Sequence, residues 1–218
     1  MNFRRHLTGQ NIALVTVFAG FITASTLWSG VTLAGGVPIT LQTFAVLLAG
    51  AVLGPWRGAA SVVIYLILGT AGLPVFAGRS STEAWAGPTA GFLIGFVACA
   101  FVTGWIVRGL RSQGKLTFAG AVGACAIGSL VVLNLLGWGY FMWRTDATLE
   151  ATLTLIAAFA IGDVIKVVLA ALVATAVHRA YPWIMPAKTK ATVDGGPAAA
   201  SGIVTPDAAE ESDALTTA

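Results

Sequence analysis

Residues 158–173 read AFAIGDVIKVVLAALV, an apolar stretch that contains one aspartate and one lysine. The stretch lies within an apolar run over residues 149–180, which exceeds the roughly 20 residues that cross a bilayer as a helix. Asp163 and Lys166 are three residues apart and therefore share one face of that helix. Charges are costly in hydrocarbon, so the presence of this pair needs an explanation.

The composition predicts an integral membrane protein. Of the 218 residues, 57% are hydrophobic and only 10% are charged, whereas soluble domains carry roughly 25% charged residues. The net charge of +3 is interpreted as a set of topology signals, with no nucleic-acid partner. Cys99 and Cys125 lie inside apolar runs, which favours buried free thiols over a disulfide or a metal site.

The apolar runs predict an all-α fold with six transmembrane helices. The block over residues 40–73 is interrupted by GPWRG at residues 54–58 and therefore predicts two short helices, which suit protein neighbours better than lipid. The other four spans are expected at about residues 11–33, 89–107, 116–140 and 149–180.

The charges between these spans predict that both termini are cytoplasmic. With that orientation, nine basic residues lie inside and two lie outside, in agreement with the positive-inside rule. The inside group is Arg4, Arg5, Arg57, Arg108, Arg111, Lys115, Arg179, Lys188 and Lys190, and the outside group is Arg79 and Arg144.

The two ends of the chain differ in composition from the central spans. The N-terminal run resembles a signal peptide, but it lacks a small-x-small cleavage motif, so retention is expected over a five-span mature form. Residues 1–186 are predicted to form a membrane domain that binds substrate. Residues 187–218 change to a polar, aperiodic composition and are predicted to be a disordered cytoplasmic tail.

No catalytic, metal-binding or nucleotide-binding motif occurs in the sequence. It contains no HExxH motif, carboxylate cluster or Walker-type glycine loop, so we expect no enzyme activity, no metal and no cofactor. His6 and His178 are expected at the membrane interface. An intramembrane enzyme that uses Asp163 alone remains an open alternative.

Two regions are candidates for solute binding. Asp163 and Lys166 either form a structural salt bridge or offer an acceptor and a cationic donor to a polar solute with an apolar body. The outer loop over residues 69–92 contains Phe76 and Trp85, which either cover a ligand or belong to an interfacial aromatic belt. Gln42 lies at the mouth of a helix, where it is either a ligand contact or a cap.

The sequence resembles the BioY family, the biotin-specific S components of energy-coupling factor transporters. The resemblance covers about residues 11–180 and rests on three segments: GVPITLQTFAVLLAGAVLGPWRGAASVVIYLILGTAGLPVFAG at residues 36–78, GPTAGFLIGF at residues 87–96 and GDVIK at residues 162–166. It implies six helices around a pocket that is open to the outside of a bacterial or archaeal cell membrane. It also implies biotin as the ligand, with a transmembrane coupling protein and two ATPase subunits as partners.

The resemblance also implies residue roles. Asp163 would accept hydrogen bonds from the ureido N–H groups of biotin, and Lys166 would meet either the ureido carbonyl or the carboxylate. Further pocket candidates are Gln42, Phe76, Trp85, Thr89 and Gly91. The family's Ala-x-x-x-Ala coupling motif is absent from the first helix, where Thr16, Gly20 and Ala24 form a stripe of small residues spaced by four.

A second hypothesis for function is a stand-alone proton-coupled transporter of biotin or a similar solute. Such a carrier needs a titratable intramembrane carboxylate, and Asp163 provides one. The cation at Lys166 opposes protonation of this carboxylate and so hinders proton cycling. The leading hypothesis is therefore a biotin-binding membrane subunit, whose turnover depends on separate ATPase subunits.

Overall fold

The computed structural model describes residues 9–27, 31–32 and 38–185, which all fall within one compact unit. The predictions for Arg4, Arg5, His6 and the C-terminal tail lie outside the described residues. The elements are α1 Gly9–Leu27, β1 Val31–Thr32, β2 Pro38–Ile39, α2 Gln42–Leu53, α3 Pro55–Thr70, α4 Ser81–Ala86, α5 Ala90–Ser112, α6 Phe118–Ala126, a π-helical segment Ile127–Leu133, α7 Asn134–Thr145 and α8 Leu149–Ala180.

The fold is helical, and three of its described helices are long and apolar enough to cross a membrane. These are α5, the continuous α6–π–α7 helix and α8, which correspond to the last three predicted spans. The bounds predicted for the last span, 149–180, are those of α8. The first predicted span was too long, since α1 ends at Leu27 and Val31–Thr32 pair with Pro38–Ile39 in a short antiparallel ladder.

Helix α2 lies at the centre of the described unit. Eleven of its twelve residues are buried, and it packs against α1, α3, α5 and α8. At about 1.5 Å per residue, a helix of this length is too short to span the hydrocarbon core alone. Its apolar surface is covered by protein, as expected for the two short helices, whereas the second of these, α3, leaves Trp56, Val63 and Ile67 exposed.

The connection between α2 and α3 is a single residue, Gly54. Its φ of 84° lies in the left-handed region that favours glycine, and Pro55 occupies the first turn of α3. The predicted turn over residues 54–58 was therefore too long, because its last four residues already belong to α3.

Glycines bring the backbones of α2, α3 and α5 into direct contact. A Cβ on Gly50 would meet the backbone of Ala100, and a Cβ on Gly104 would meet the backbone of Gly54 and Pro55. Small residues are the usual means of close helix packing in membranes, where association depends on van der Waals contact.

His178 lies in the last turn of α8 and is buried within the protein, and its position at the membrane interface stays a prediction. Its Nε2 donates to the carbonyl oxygen of Ala51 at 2.8 Å, and its Nδ1 accepts from Arg111 at 2.6 Å. One neutral tautomer satisfies both bonds. Arg111 also donates to the carbonyl of Pro182, so this end of the bundle joins α2, α5 and α8.

We expect Gly104→Ala to lower the midpoint of thermal unfolding in detergent, because the added methyl group meets backbone that cannot rotate away. Overpacking of this kind costs about 1–3 kcal/mol. Gly123→Ala in α6 is the matched control, since a Cβ there has no described neighbour within 4 Å. Equal midpoints for the two variants would contradict the proposed α2–α5 contact.

Candidate functional site

A cavity lies between the start of α2, the middle of α3, the first half of α5, and the facing parts of α7 and α8. It contains about 760 Å³ of space free of protein atoms, including its open mouth. Six aromatic side chains contribute to its lining: Tyr65, Phe76, Phe92, Phe96, Trp138 and Phe159. The lining therefore suits a solute with a sizeable apolar body.

The charged pair from α8 forms a salt bridge and also lines this cavity. Lys166 Nζ lies 3.2 Å from Asp163 Oδ1, and the two side chains are only 9% and 14% exposed, respectively. The two interpretations left open by the sequence therefore do not exclude each other. A carboxylate and an ammonium group in one ion pair still have acceptor and donor capacity for a bound solute.

Gln42 belongs to a hydrogen-bond network that fixes the loop over the cavity. Its Nε2 donates to the hydroxyl of Tyr65 at 2.9 Å, and this hydroxyl donates to the carbonyl of Val75 at 3.1 Å. The hydroxyl of Thr26 donates to the same carbonyl at 2.8 Å. The network ties α1, α2 and α3 to the residue that precedes Phe76, and it orients Gln42 at the cavity.

Phe76 lines the cavity, whereas Trp85 contacts Phe76 and does not belong to the described lining. The rings of Phe76 and Trp85 make an edge contact with centroids 6.5 Å apart, and Trp85 is absent from the described lining of the cavity. Its Nε1 donates to Thr70 Oγ1 at 2.9 Å. The structure thus places Trp85 as a support for Phe76, outside direct reach of the cavity.

Thr89 and Gly91 of the GPTAG segment have different positions. Thr89 lines the cavity, and its hydroxyl accepts a hydrogen bond from Arg79 Nη1 at 2.7 Å. A Cβ on Gly91 would meet Tyr140 and the backbone of Leu136, so this glycine permits close packing of α5 on α7. It does not contribute to the described lining.

Arg79, Asn134, Trp138 and Phe159 line the cavity but were missed as site residues in the sequence. Arg79 was counted only as a loop charge. Asn134 interrupts an otherwise apolar run, LVVLNLLG at residues 130–137, and an amide at that depth is a signal that was available. Trp138 and Phe159 carry no comparable signal, because aromatic residues are common in membrane helices.

The loop that carries Arg79 leads directly into the capped helix α4. The hydroxyl of Ser80 accepts from the backbone N–H of Glu83, and the Glu83 carboxylate accepts from the Ser80 backbone N–H at 2.9 Å. The Ser80 hydroxyl also donates to Glu83 Oε2 at 2.9 Å. The bond from the Ser80 backbone, then the bond from its hydroxyl, and then the charge of Arg79 hold the pKa of Glu83 below its usual value. The capping box thus fixes the backbone that follows Arg79.

The fold and the cavity define a helical membrane protein that binds a small amphipathic solute. Within the described residues, no group of three His, Cys, Asp or Glu side chains is placed to hold a metal ion. The BioY family matches the chain over residues 2–183, and the chain belongs to this family.

Two relatives resemble the chain over most of their length. The biotin transporter BioY of Rhodobacter capsulatus is 41% identical over 183 residues, covering 79% of this chain and 95% of the relative. The biotin transporter BioY of Rhizobium etli is 40% identical over 189 residues, covering 84% of this chain and all of the relative.

A solved structure has the same fold. It is the crystal structure at 2.1 Å of the S-component for biotin from an ECF-type ABC transporter, with a TM-score of 0.74. The two sequences are 23% identical, and the match covers 82% of this chain and 95% of that chain. At this identity the likeness establishes the fold alone.

Proposed function

We propose that this chain is a biotin-binding S component, which captures biotin and delivers it together with a separate ATP-driven coupling module. The observation that carries the proposal is the Asp163–Lys166 pair, which lines an aromatic cavity at an N···O distance of 3.2 Å. Family membership and two relatives that are named biotin transporters support it. The same relatives agree with the expectation that the chain is not an enzyme.

The chemistry of biotin matches the groups around the cavity. Its cyclic urea offers N–H donors and one carbonyl, and its sulfur ring is apolar. Asp163 accepts from an N–H group and Lys166 Nζ donates to the urea carbonyl. The aromatic side chains, including Phe76 and Trp138, cover the sulfur ring.

Arg79 is the group that we assign to the carboxylate of biotin. The charged residues in the described lining are Arg79, Asp163 and Lys166, of which Lys166 is paired with Asp163. A guanidinium group at the cavity can bind a carboxylate through two parallel hydrogen bonds. The assignment leaves Lys166 for the urea carbonyl, which the sequence could not decide.

The topology that we propose has six membrane helices and two cytoplasmic ends. The six are α1, α2, α3, α5, the α6–π–α7 helix and α8, with the membrane domain over residues 1–186 and a separate segment over residues 187–218. The charge bias of the loops supports this orientation, with a retained N-terminal helix and the cavity mouth on the outer side. The location is the plasma membrane of a bacterium or archaeon.

Helix α1 is the proposed contact with the transmembrane coupling protein, which itself works with two ATPase subunits. Thr16, Gly20 and Ala24 are exposed on one stripe of this helix. A Cβ on Gly20 would have no described neighbour within 4 Å, so the stripe is open to a partner. Small residues allow a second helix to approach closely, although the family motif itself is absent.

The competing hypothesis of a proton-coupled carrier is less well supported by the geometry. The carboxylate that would have to cycle its proton is already bonded to a cation at 3.2 Å. Uptake that stops with a protonophore but survives loss of the ATPase subunits would favour this alternative over the S-component proposal.

We expect Asp163→Asn and Lys166→Ala each to weaken biotin binding by the purified chain. Loss of one partner from a buried charge pair costs on the order of 2–5 kcal/mol, or roughly 30- to several-thousand-fold in affinity. Equilibrium binding of labelled biotin in detergent measures the effect. Glu150→Gln and Lys115→Ala, which change exposed charges, should bind as the wild type does. Misfolding of both site variants without a selective binding defect would support a purely structural salt bridge.

We expect Arg79→Gln to weaken binding of biotin but not of biotin methyl ester, because the ester lacks the carboxylate. A charged hydrogen bond of about 1.5–3 kcal/mol corresponds to roughly 10- to 140-fold in affinity. Arg144→Gln, at the end of α7 and exposed, is the matched control. An equal loss for both ligands would mean that Arg79 holds the loop and does not bind the carboxylate.

A further inference from the structure

The fifth predicted span, which the structure shows as the continuous helix of α6 and α7, contains a π-helical segment between them. The segment covers Ile127–Leu133 and ends directly before Asn134, whose backbone N–H donates to the carbonyl of Ser129 five residues earlier. Such i→i−5 turns are rare and occur frequently at functional sites, where they change the register of the helix that follows.

The π segment keeps one buried stripe facing the same neighbours along this helix. Six of the nine buried residues of this helix recur every four positions: Ala121, Cys125, Ser129, Leu133, Gly137 and Phe141. On a regular α-helix each step of four turns the face by about 40°, which adds to about 200° after five steps. The additional residue in each π turn offsets part of this rotation, so the second half of the helix still faces the cavity.

Asn134 is the polar residue that this register brings to the cavity. Its side chain lines the cavity and is half-buried, and its carboxamide makes no hydrogen bond to any residue that the structure describes. Gln42, Tyr65 and Thr89, which also line the cavity, have bonds to protein groups. The amide therefore has donor and acceptor capacity available to a ligand in the cavity.

Asn134 also lies at the depth of the charged pair. Trp138 on α7 and Phe159 on α8 are in edge contact, with centroids 5.7 Å apart. The two helices are joined by three residues and run antiparallel. Asn134 comes four residues before Trp138, and Asp163 comes four residues after Phe159. Both therefore lie one turn, about 6 Å, from this contact in the same direction.

We propose that Asn134 is a ligand-binding residue that recognises the cyclic urea from the side opposite Asp163 and Lys166, and that the π segment positions it. This inference rests on the proposed function. A carboxamide presents one acceptor and two donors, so it can pair with an adjacent N–H and C=O of a cyclic urea at once. Asp163 then accepts from the other N–H of the ring.

The test compares biotin with protonated 2-iminobiotin, in which the urea carbonyl is replaced by a cationic C=NH₂⁺ group. We expect Asn134→Ala to reduce biotin affinity roughly tenfold, as for loss of a hydrogen bond between neutral groups. Asn134→Asp removes the donor and adds a carboxylate, so its ratio of iminobiotin to biotin affinity should exceed the wild-type ratio by tenfold or more. Both affinities are measured by equilibrium binding in detergent.

Leu135→Ala is the matched control, because the neighbouring residue is 72% exposed and absent from the described lining. It should bind both ligands as the wild type does, and thermal unfolding of each variant reports whether the fold is retained. An unchanged biotin affinity in Asn134→Ala, or an unchanged ligand ratio in Asn134→Asp, would overturn the role of Asn134. The proposed function would then still stand if the wild type binds biotin. A folded wild type that binds no biotin would overturn both.

Discussion

The ion pair between Asp163 and Lys166 is the central constraint on the cavity, because both charged side chains are largely removed from solvent. The penalty for desolvating two ions is several kcal/mol each, and apolar replacements of a buried pair are often at least as stable. Ligand binding explains why a pair that lines a cavity is retained in place of apolar residues. A polar ligand forms hydrogen bonds with the pair that apolar residues cannot supply. Aromatic side chains around the pair exclude water from the apolar part of the ligand. The polar contacts then fix the orientation of the ligand and its specificity.

The surrounding helices hold this cavity through contacts that are distant from it. Helix α2 begins at the cavity with Gln42 and ends at Leu53, directly before Gly54, where the backbone of α5 approaches at Gly104. The hydroxyl of Tyr65 connects Gln42 to the carbonyl of Val75, directly before Phe76. One buried helix thus links the packed end of the bundle to the loop that covers the site.

Much of the fold could be predicted from composition and apolar run length, which gave the membrane class, the bounds of α8 and the need to bury α2. The first span and the 54–58 turn were predicted too long, because hydropathy does not detect a glycine turn or a short strand pair. Side-chain positions were harder to predict. Nothing in the sequence distinguishes Trp85, which contacts Phe76, from a ring that lines the cavity. The position of Asn134 follows a π segment that packs against α5 and that hydropathy does not detect.

The central claim is that the charges and polar groups of this cavity fix the orientation of one biotin molecule. A structure of the purified chain with biotin bound tests it most directly. The account predicts the cyclic urea between Asp163, Lys166 and Asn134, and the carboxylate at Arg79. A reversed molecule, with its carboxylate at Lys166, or a ligand bound outside this cavity, would contradict it.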